Sequence, residues 1–254
     1  MISFTVVSVV ILPAIMLRLL LRSFSTAALF GPATHGASAA PVAVRQRRIR
    51  GVQYGMAGTG LLAVVLTVLV IEWAGLSSFD TFLNQAFVAV RAPAVVHLFY
   101  AITLFGTLYG MAFIAALVSG LCWLTGRGVV VLPLWVAFAG AELTTWSMKL
   151  LIDRPRPPTL HGIFELSPSF PSSHATATTA VIGYIALLLA NGLPSRGLRL
   201  EAVFWATLVI VMICLSRLIL SLHYASDVLE GALVGGFWAF AGAWLYHRRQ
   251  LSNG

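Results

Sequence analysis

Lys149 closes one of the long apolar runs of this sequence and opens the stretch Lys149-Leu150-Leu151-Ile152-Asp153-Arg154-Pro155-Arg156-Pro157-Pro158, which sets cations among prolines. Proline cannot continue a helix and biases the residue before it toward extended backbone, so these cations should ride a stiff, turning loop. A second stretch, Phe170-Pro171-Ser172-Ser173-His174, immediately precedes another apolar run. Its serines can cap a helix whose first amides are then free, and helix N-termini attract anions. The third runs from Ser216-Arg217 through His223 to Asp227 and joins two further apolar runs. An aspartate there can hold an imidazole in one tautomer and leave the lone pair of the other nitrogen for an electrophile.

Taken together, Lys149, Arg156, Arg217, His174, His223, Asp227 and a helix N-terminus carrying Ser172 and Ser173 make an inventory that fits phosphate. A phosphoryl group in transfer carries charge on its equatorial oxygens, and each lost donor to such a site costs about 2.7 to 4 kcal/mol by analogy with oxyanion holes. The expected route is in-line attack by His223 on phosphorus, with His174 protonating the leaving oxygen and later activating water to hydrolyse the phosphohistidine. The side chains supply the positive charge themselves, so neither a metal nor another cofactor is expected.

Each segment alone also has a structural reading. Lys149 can be a snorkelling anchor, and Arg154 and Arg156 can be headgroup contacts. Ser172 and Ser173 can be an ordinary cap, and Asp227 can simply cap the following helix. Arg217 resists such a reading, because an arginine inside an apolar run costs about 2.5 to 3.5 kcal/mol to insert and needs a polar interior. On an unbroken helix Arg217 and His223 would differ by about 240° and about 9 Å. They converge only if the helix ends near Leu222 or the guanidinium stem bends.

The elements that must position these groups follow from composition. The chain has 254 residues, 59% hydrophobic and 9% charged, against roughly a quarter charged in soluble domains. That composition predicts an all-α polytopic membrane bundle, since a helix satisfies its own backbone inside hydrocarbon. Six candidate spans of about 20 residues lie near 54–75, 96–124, 129–150, 175–193, 202–222 and 228–246.

A weaker hydrophobic stretch at 2–21, interrupted by Arg18, is read as an extra anchor or interfacial helix. A secretory signal is the alternative, given Ala37-Ser38-Ala39, but its positive charges follow the apolar run instead of preceding it. The expected organisation is an N-terminal segment and basic linker over 1–50, a six-helix domain over 51–249 and a tail over 250–254. Cys122 and Cys214 fall within spans and read as small core residues. Glu142 and Glu230 read as interhelical polar contacts, and Arg91, His97 and His161 as possible headgroup contacts.

The formal charge of +8 does not form a nucleic-acid patch. Arg45, Arg47, Arg48, Arg50, Arg127, Arg196, Arg199, Arg248 and Arg249 all fall on one side of the six spans. The positive-inside rule makes that side cytoplasmic and puts the chemical segments at the extracytoplasmic face of a cell (inner) membrane.

At this point the residues are similar to a known family. The sequence resembles the type-2 phosphatidic acid phosphatases, a superfamily that also contains vanadium haloperoxidases. Their signature K-x6-RP, PSGH and SR-x5-H-x3-D appears in order as Lys149 with Arg156-Pro157, Pro171-Ser172-Ser173-His174, and Ser216-Arg217 with His223 and Asp227. The one departure is Ser173, where the pattern has glycine. The resemblance covers about residues 54–246 and implies a six-helix core. It also implies phosphate binding by Lys149, Arg156 and Arg217, an acid at His174, and a nucleophile at His223 oriented by Asp227. Membrane members dephosphorylate lipids at the outer leaflet, among them undecaprenyl diphosphate, phosphatidylglycerol phosphate, phosphatidic acid and lipid A, and the signature does not choose between them. Vanadate is expected to inhibit by imitating the pentacoordinate phosphoryl group.

Two rivals stay open from sequence. A phosphotransferase would pass the phosphoryl group from the same intermediate to an acceptor other than water. A transporter of an anionic substrate would also place charges near a helix N-terminus, but with interrupted spans at the midplane.

Overall fold

The computed structural model describes residues 42–158 and 165–252. The hydrophobic stretch expected at 2–21, the candidate cleavage site at 37–39, and His161 lie outside the described residues. Among the described residues the regular structure is entirely helical: α1 (Val42–Glu72), α2 (Ala74–Ala86), α3 (Pro93–Phe105), α4 (Leu108–Leu124), α5 (Val131–Ile152), α6 (Ser173–Gly192), α7 (Arg196–Ile219) and α8 (Ala225–Ser252). Single 3-10 turns at Phe87–Val90 and Gly128–Val130 precede α3 and α5.

Five helices, α1 and α5 to α8, are long and apolar enough to cross a membrane. The number is six if α2 with its 3-10 turn and α3, bent by 117° at their break, count as one span. The expected second span at 96–124 is two helices, divided at Gly106 and Thr107. The division has a local cause: Thr107 Oγ1 accepts from Gly110 N at 3.0 Å and starts α4 as its N-cap, a role for which Thr is well suited. Apolar composition runs unbroken through this junction, so hydropathy alone does not reveal it.

α8 is the central helix and packs on α6, α1 and α5. Its Gly231 and Gly235 stand one turn apart on one face. A Cβ at Gly231 would lie 2.6 Å from the Ser172 carbonyl oxygen, and one at Gly235 would lie 2.5 Å from that of Thr176. Glycine at both positions therefore lets α8 and α6 meet backbone to backbone, the small-x3-small approach that holds helices together in lipid. Against α1, α8 runs antiparallel: Gly55 lies against Phe240, Gly60 against Phe237, and Thr67 Oγ1 donates to Glu230 Oε1 at 3.1 Å. Further toward the arginine-rich end, Tyr184 donates from its hydroxyl to the Val130 carbonyl at 3.1 Å. Leu61, Leu62, Val64, Val65 and Val68 of α1 are exposed, as the lipid-facing side of a span requires.

This connectivity sorts the charges by end. The turns at 125–130 and 193–195, the start of α1 and the end of α8 share one end of the bundle and carry the arginine-rich segments. The C-termini of α5 and α7 and the N-termini of α6 and α8 meet at the other. Cys122 is buried in the core and Cys214 is half-buried, both as free thiols, as expected. Glu230 makes the interhelical contact expected of it, through Thr67. Glu142 is buried, with Oε1 unpaired among the described residues.

Candidate active site

Lys149 occupies the last turn of α5 and is 1% exposed. Its ammonium donates to the Pro168 carbonyl. The helix stops at Asp153, which takes a left-handed conformation (φ 44) and donates its N–H to the Lys149 carbonyl at 3.1 Å. The prolines then carry the chain across the end of the bundle, as their stiffness predicts. Arg156 donates from Nε to Ser167 O at 2.8 Å, from Nη1 to Leu222 O at 2.7 Å, and from Nη2 to Ser167 Oγ at 3.0 Å. These contacts lock the plane of its guanidinium.

α7 ends at Ile219, earlier than the sequence argument required, and the chain folds back at once. Leu222 N–H bonds to the Arg217 carbonyl at 3.1 Å, and Ser221 takes the left-handed region at φ 55. This tight turn returns His223 to the end of α7, within electrostatic reach of Arg217. Arg91, expected at the headgroups, is instead buried. It donates from Nε to Ile219 O at 2.8 Å and from Nη2 to Leu218 O at 3.2 Å, so it caps the end of α7.

Arg217 is 1% exposed. Its Nη1 donates to Thr103 Oγ1 at 2.9 Å, its Nη2 pairs with Glu165, and its Nε has no partner among the described residues. Glu165 is the anion at the centre of the site. Its Oε2 lies 2.8 Å from Arg156 Nη2 and 3.9 Å from His223 Nε2. Burial alone would raise this carboxyl, but Arg217, His223 and Arg156 outweigh it and bring its pKa down to about 2.

His223 is fully enclosed, with Nε2 3.0 Å from Arg156 Nη1 and Nδ1 3.6 Å from Asp227 Oδ2. Burial first, then Arg217 and Arg156, hold the imidazole well below its ordinary pKa and therefore neutral at pH 7. Asp227 lies in the first turn of α8, and its Oδ2 accepts from the Tyr224 N–H at 2.8 Å, so the capping reading holds. The same carboxylate accepts from Ser169 Oγ at 2.5 Å and pairs with Arg154 Nη1 at 2.5 Å. It is therefore also the hub between α8, the proline loop and the His223 turn.

Ser172 is the N-cap of α6, but its hydroxyl makes no cap bond. That hydroxyl is buried and unpaired among the described residues, while the Ser172 N–H bonds to the Asp227 carbonyl at 3.0 Å. The first amides of α6, from Ser173, His174 and Ala175, have no acceptor within their own helix. Ser173 is half-buried at the first helical position. His174 is within electrostatic reach of Arg217, Glu165, Arg156 and Lys149, and no hydrogen bond to another described residue fixes its ring. The Gly106 backbone passes beside that ring, where a Cβ would lie 3.3 Å from His174 Cδ2. All eight residues singled out from sequence thus gather at one end of the bundle.

Five contributors were not singled out for these roles. Arg154, read only as a headgroup contact, bridges Asp227 to Asp80 of α2 (2.8 Å from Nη2), and Asp80 also holds the Ser226 N–H at 3.0 Å. Ser169, Glu165 and Thr103 complete the shell. The sequence has only eight acidic residues, so Asp80 and Glu165 were visible as rare carboxylates in an apolar chain. Their partners were not. Among the described residues no group of three or more His, Cys, Asp or Glu is placed to hold a metal ion.

The arrangement presents three cations, a hydroxyl and helix-end amides around a neutral imidazole. A family model described as the PAP2 superfamily matches residues 130–251, a range that contains all three chemical segments. Phosphatidylglycerophosphatase B of Bacillus subtilis (strain 168) is 27% identical over 178 residues, or 68% of this chain and 86% of the relative. The crystal structure of the transmembrane PAP2-type phosphatidylglycerolphosphate phosphatase from Bacillus subtilis matches with a TM-score of 0.68 at 25% identity, covering 75% of this chain and 94% of that one. Aquifex aeolicus LpxE shares the fold, with a TM-score of 0.50 at 22% identity over 68% of this chain and 98% of its own.

Proposed function

We propose that this chain is a membrane phosphatase of the PAP2 superfamily, whose family model matches residues 130–251, and that it hydrolyses a lipid phosphomonoester or diphosphate at the extracytoplasmic face through a phosphohistidine. The observation that carries this reading is an anion already held between Arg156 and Arg217 in front of His223 Nε2. A phosphoryl group placed there would meet two guanidinium forks, which match phosphate oxygens in pairs. Lys149, the Ser172 hydroxyl and the α6 amides would take the remaining oxygens.

In the first step the His223 Nε2 lone pair forms the N–P bond while the P–O bond to the lipid breaks, and His174 gives its proton to the leaving oxygen. In the second, His174 takes a proton from water, the resulting oxygen attacks phosphorus, and the N–P bond breaks to release phosphate. Asp227 faces Nδ1 and stabilises the positive charge that develops on the imidazole. The cations do the electrostatic work, so chelators should leave turnover intact.

The orientation rests on the arginine-rich end being cytoplasmic. The relative's name makes phosphatidylglycerophosphate the first substrate to test, followed by undecaprenyl diphosphate and phosphatidic acid. Purified protein, with chelator present, should release phosphate from at least one of these, be inhibited by vanadate, and lose release in His223→Ala and His174→Ala. Unchanged turnover in both variants would reject the mechanism.

A further inference from the structure

Glu165 competes for the donors that the proposed substrate needs. Its two carboxylate oxygens divide between Arg156 Nη2 and Arg217 Nη2. Its Oε2 stands 3.9 Å from His223 Nε2. Attack requires phosphorus about 3 to 3.5 Å from that nitrogen, with oxygens spread over the same guanidiniums. Carboxylate and phosphoryl group cannot both be there, so one must leave. The partner with a way out is Glu165: its side chain is 29% exposed, against 10% for Arg156 and 1% for Arg217.

We propose that the Glu165 carboxylate is an internal competitor that makes the site selective for dianionic phosphomonoesters and diphosphates and excludes the monoanionic phosphodiesters of ordinary membrane lipids. The inference rests on the phosphatase reading above and adds a specificity-determining residue to it. The physical argument is one of charge. A phosphodiester brings a single negative charge, the same as the carboxylate it would have to displace, and the carboxylate is tethered and already in place. A monoester brings close to two charges at neutral pH, since its second pKa is about 6, and has three terminal oxygens to share among the cations. Displacement is then favourable for the monoester and not for the diester. Without such a competitor, a strongly cationic pocket at a membrane surface would be occupied by the diester headgroups that surround it.

The test uses binding, not turnover, with methyl phosphate and dimethyl phosphate as probes titrated calorimetrically into the detergent-solubilised full chain. The wild type should bind methyl phosphate and show little affinity for dimethyl phosphate. Glu165→Gln keeps the shape, removes the charge, and should tighten both probes, dimethyl phosphate more, so that the ratio of the two affinities falls by roughly tenfold. Glu165→Asp retains a carboxylate and should keep most of the discrimination. A wild type that binds both probes equally, or a Glu165→Gln ratio equal to that of the wild type, would overturn the inference. Should the glutamine variant not fold, the wild type decides between pH 8 and 5.5: methyl phosphate must weaken as it becomes a monoanion, and equal affinity at both ends would overturn it. Loss of lipid turnover in His223→Ala is scored separately and speaks only to the phosphatase reading.

Discussion

Arg156 Nη1 lies 3.0 Å from His223 Nε2, and a guanidinium has only N–H groups to offer. Nε2 is therefore the acceptor and holds its lone pair toward the site, while Nδ1 carries the proton and faces Asp227 Oδ2 at 3.6 Å and Ser169 Oγ at 3.5 Å. This is the tautomer that attack through Nε2 requires. In this resting arrangement the lone pair is occupied by Arg156 and the space before it by Glu165. A phosphoryl group that displaces the carboxylate and competes with His223 for the Arg156 Nη1 donor would free the nucleophile at the moment it arrives.

A titration follows from this contact. Burial, with Arg217 and Arg156, lowers the His223 pKa, so the neutral form persists to a pH below the ordinary histidine value of about 6.5. Nitrogen-15 NMR of the substrate-free protein should show His223 neutral and Nδ1-protonated at pH 7, and still so at pH 6. The linkage has the same sign. The unfolded chain binds the proton first, so any stability tied to this group declines as pH falls below about 6.5 toward the lowered folded value. A ring that protonates near pH 6.5, or a proton on Nε2 at neutral pH, would contradict the assignment.

Asp80 acts on His223 at two removes. It holds Arg154 Nη2 at 2.8 Å, Arg154 Nη1 holds Asp227 at 2.5 Å, and Asp227 faces the imidazole. With two carboxylates sharing one guanidinium, Asp227 keeps part of its negative charge for the developing imidazolium. Asp80→Asn gives Arg154 wholly to Asp227, so kcat should fall roughly tenfold or more, a loss of about 1.4 kcal/mol of transition-state stabilisation, while KM moves little. Steady-state kinetics on a lipid phosphate separate the two. A rise in KM at unchanged kcat would show that Asp80 serves binding instead.

The chemistry was more legible in the sequence than its support. Lys149, Arg156, His174, Arg217, His223 and Asp227 could be read because prolines, a cap and an apolar-run boundary mark their surroundings, and because a buried arginine demands a partner. That partner could not be read: Glu165 comes from the loop between α5 and α6, and Thr103 from α3. Asp80 comes from α2, which lies between the first two expected spans. Such pairings are set by tertiary packing and leave no period in the chain. The break between α3 and α4 was hidden for a related reason, since Gly106 and Thr107 are tolerated inside a span and become a helix boundary only through packing and a cap.

Gly231 holds the site together from the side of the fold. It lets α8 approach α6 closely enough for the Asp227 carbonyl to accept from the Ser172 N–H at 3.0 Å. Gly231→Val forces a branched side chain against the Ser172 carbonyl, a backbone atom that cannot step aside. Overpacking of this kind costs about 1 to 3 kcal/mol. The variant should lower the melting temperature in detergent and reduce kcat, whereas Gly51→Val, in open space, should do neither. Wild-type melting and turnover in Gly231→Val would mean that the helix contact is looser than described.

His174 and His223 can be told apart by the leaving group. Proton donation matters for an alkoxide and hardly at all for 4-nitrophenolate, while general acid–base help is worth about 10² to 10⁴ in rate where it is needed. His174→Ala should therefore lose most turnover of lipid phosphates yet still transfer the phosphoryl group of 4-nitrophenyl phosphate to His223. The second step then lacks its base, so phosphohistidine should accumulate. Rapid mixing should show a burst of 4-nitrophenolate approaching one equivalent per protein, and radiolabelled phosphate should remain on the chain as an acid-labile, base-stable adduct. Adding His223→Ala should abolish both burst and label. A burst that survives the double variant would place the nucleophile elsewhere, and a single variant without burst or label would mean that His174 is needed before the N–P bond forms.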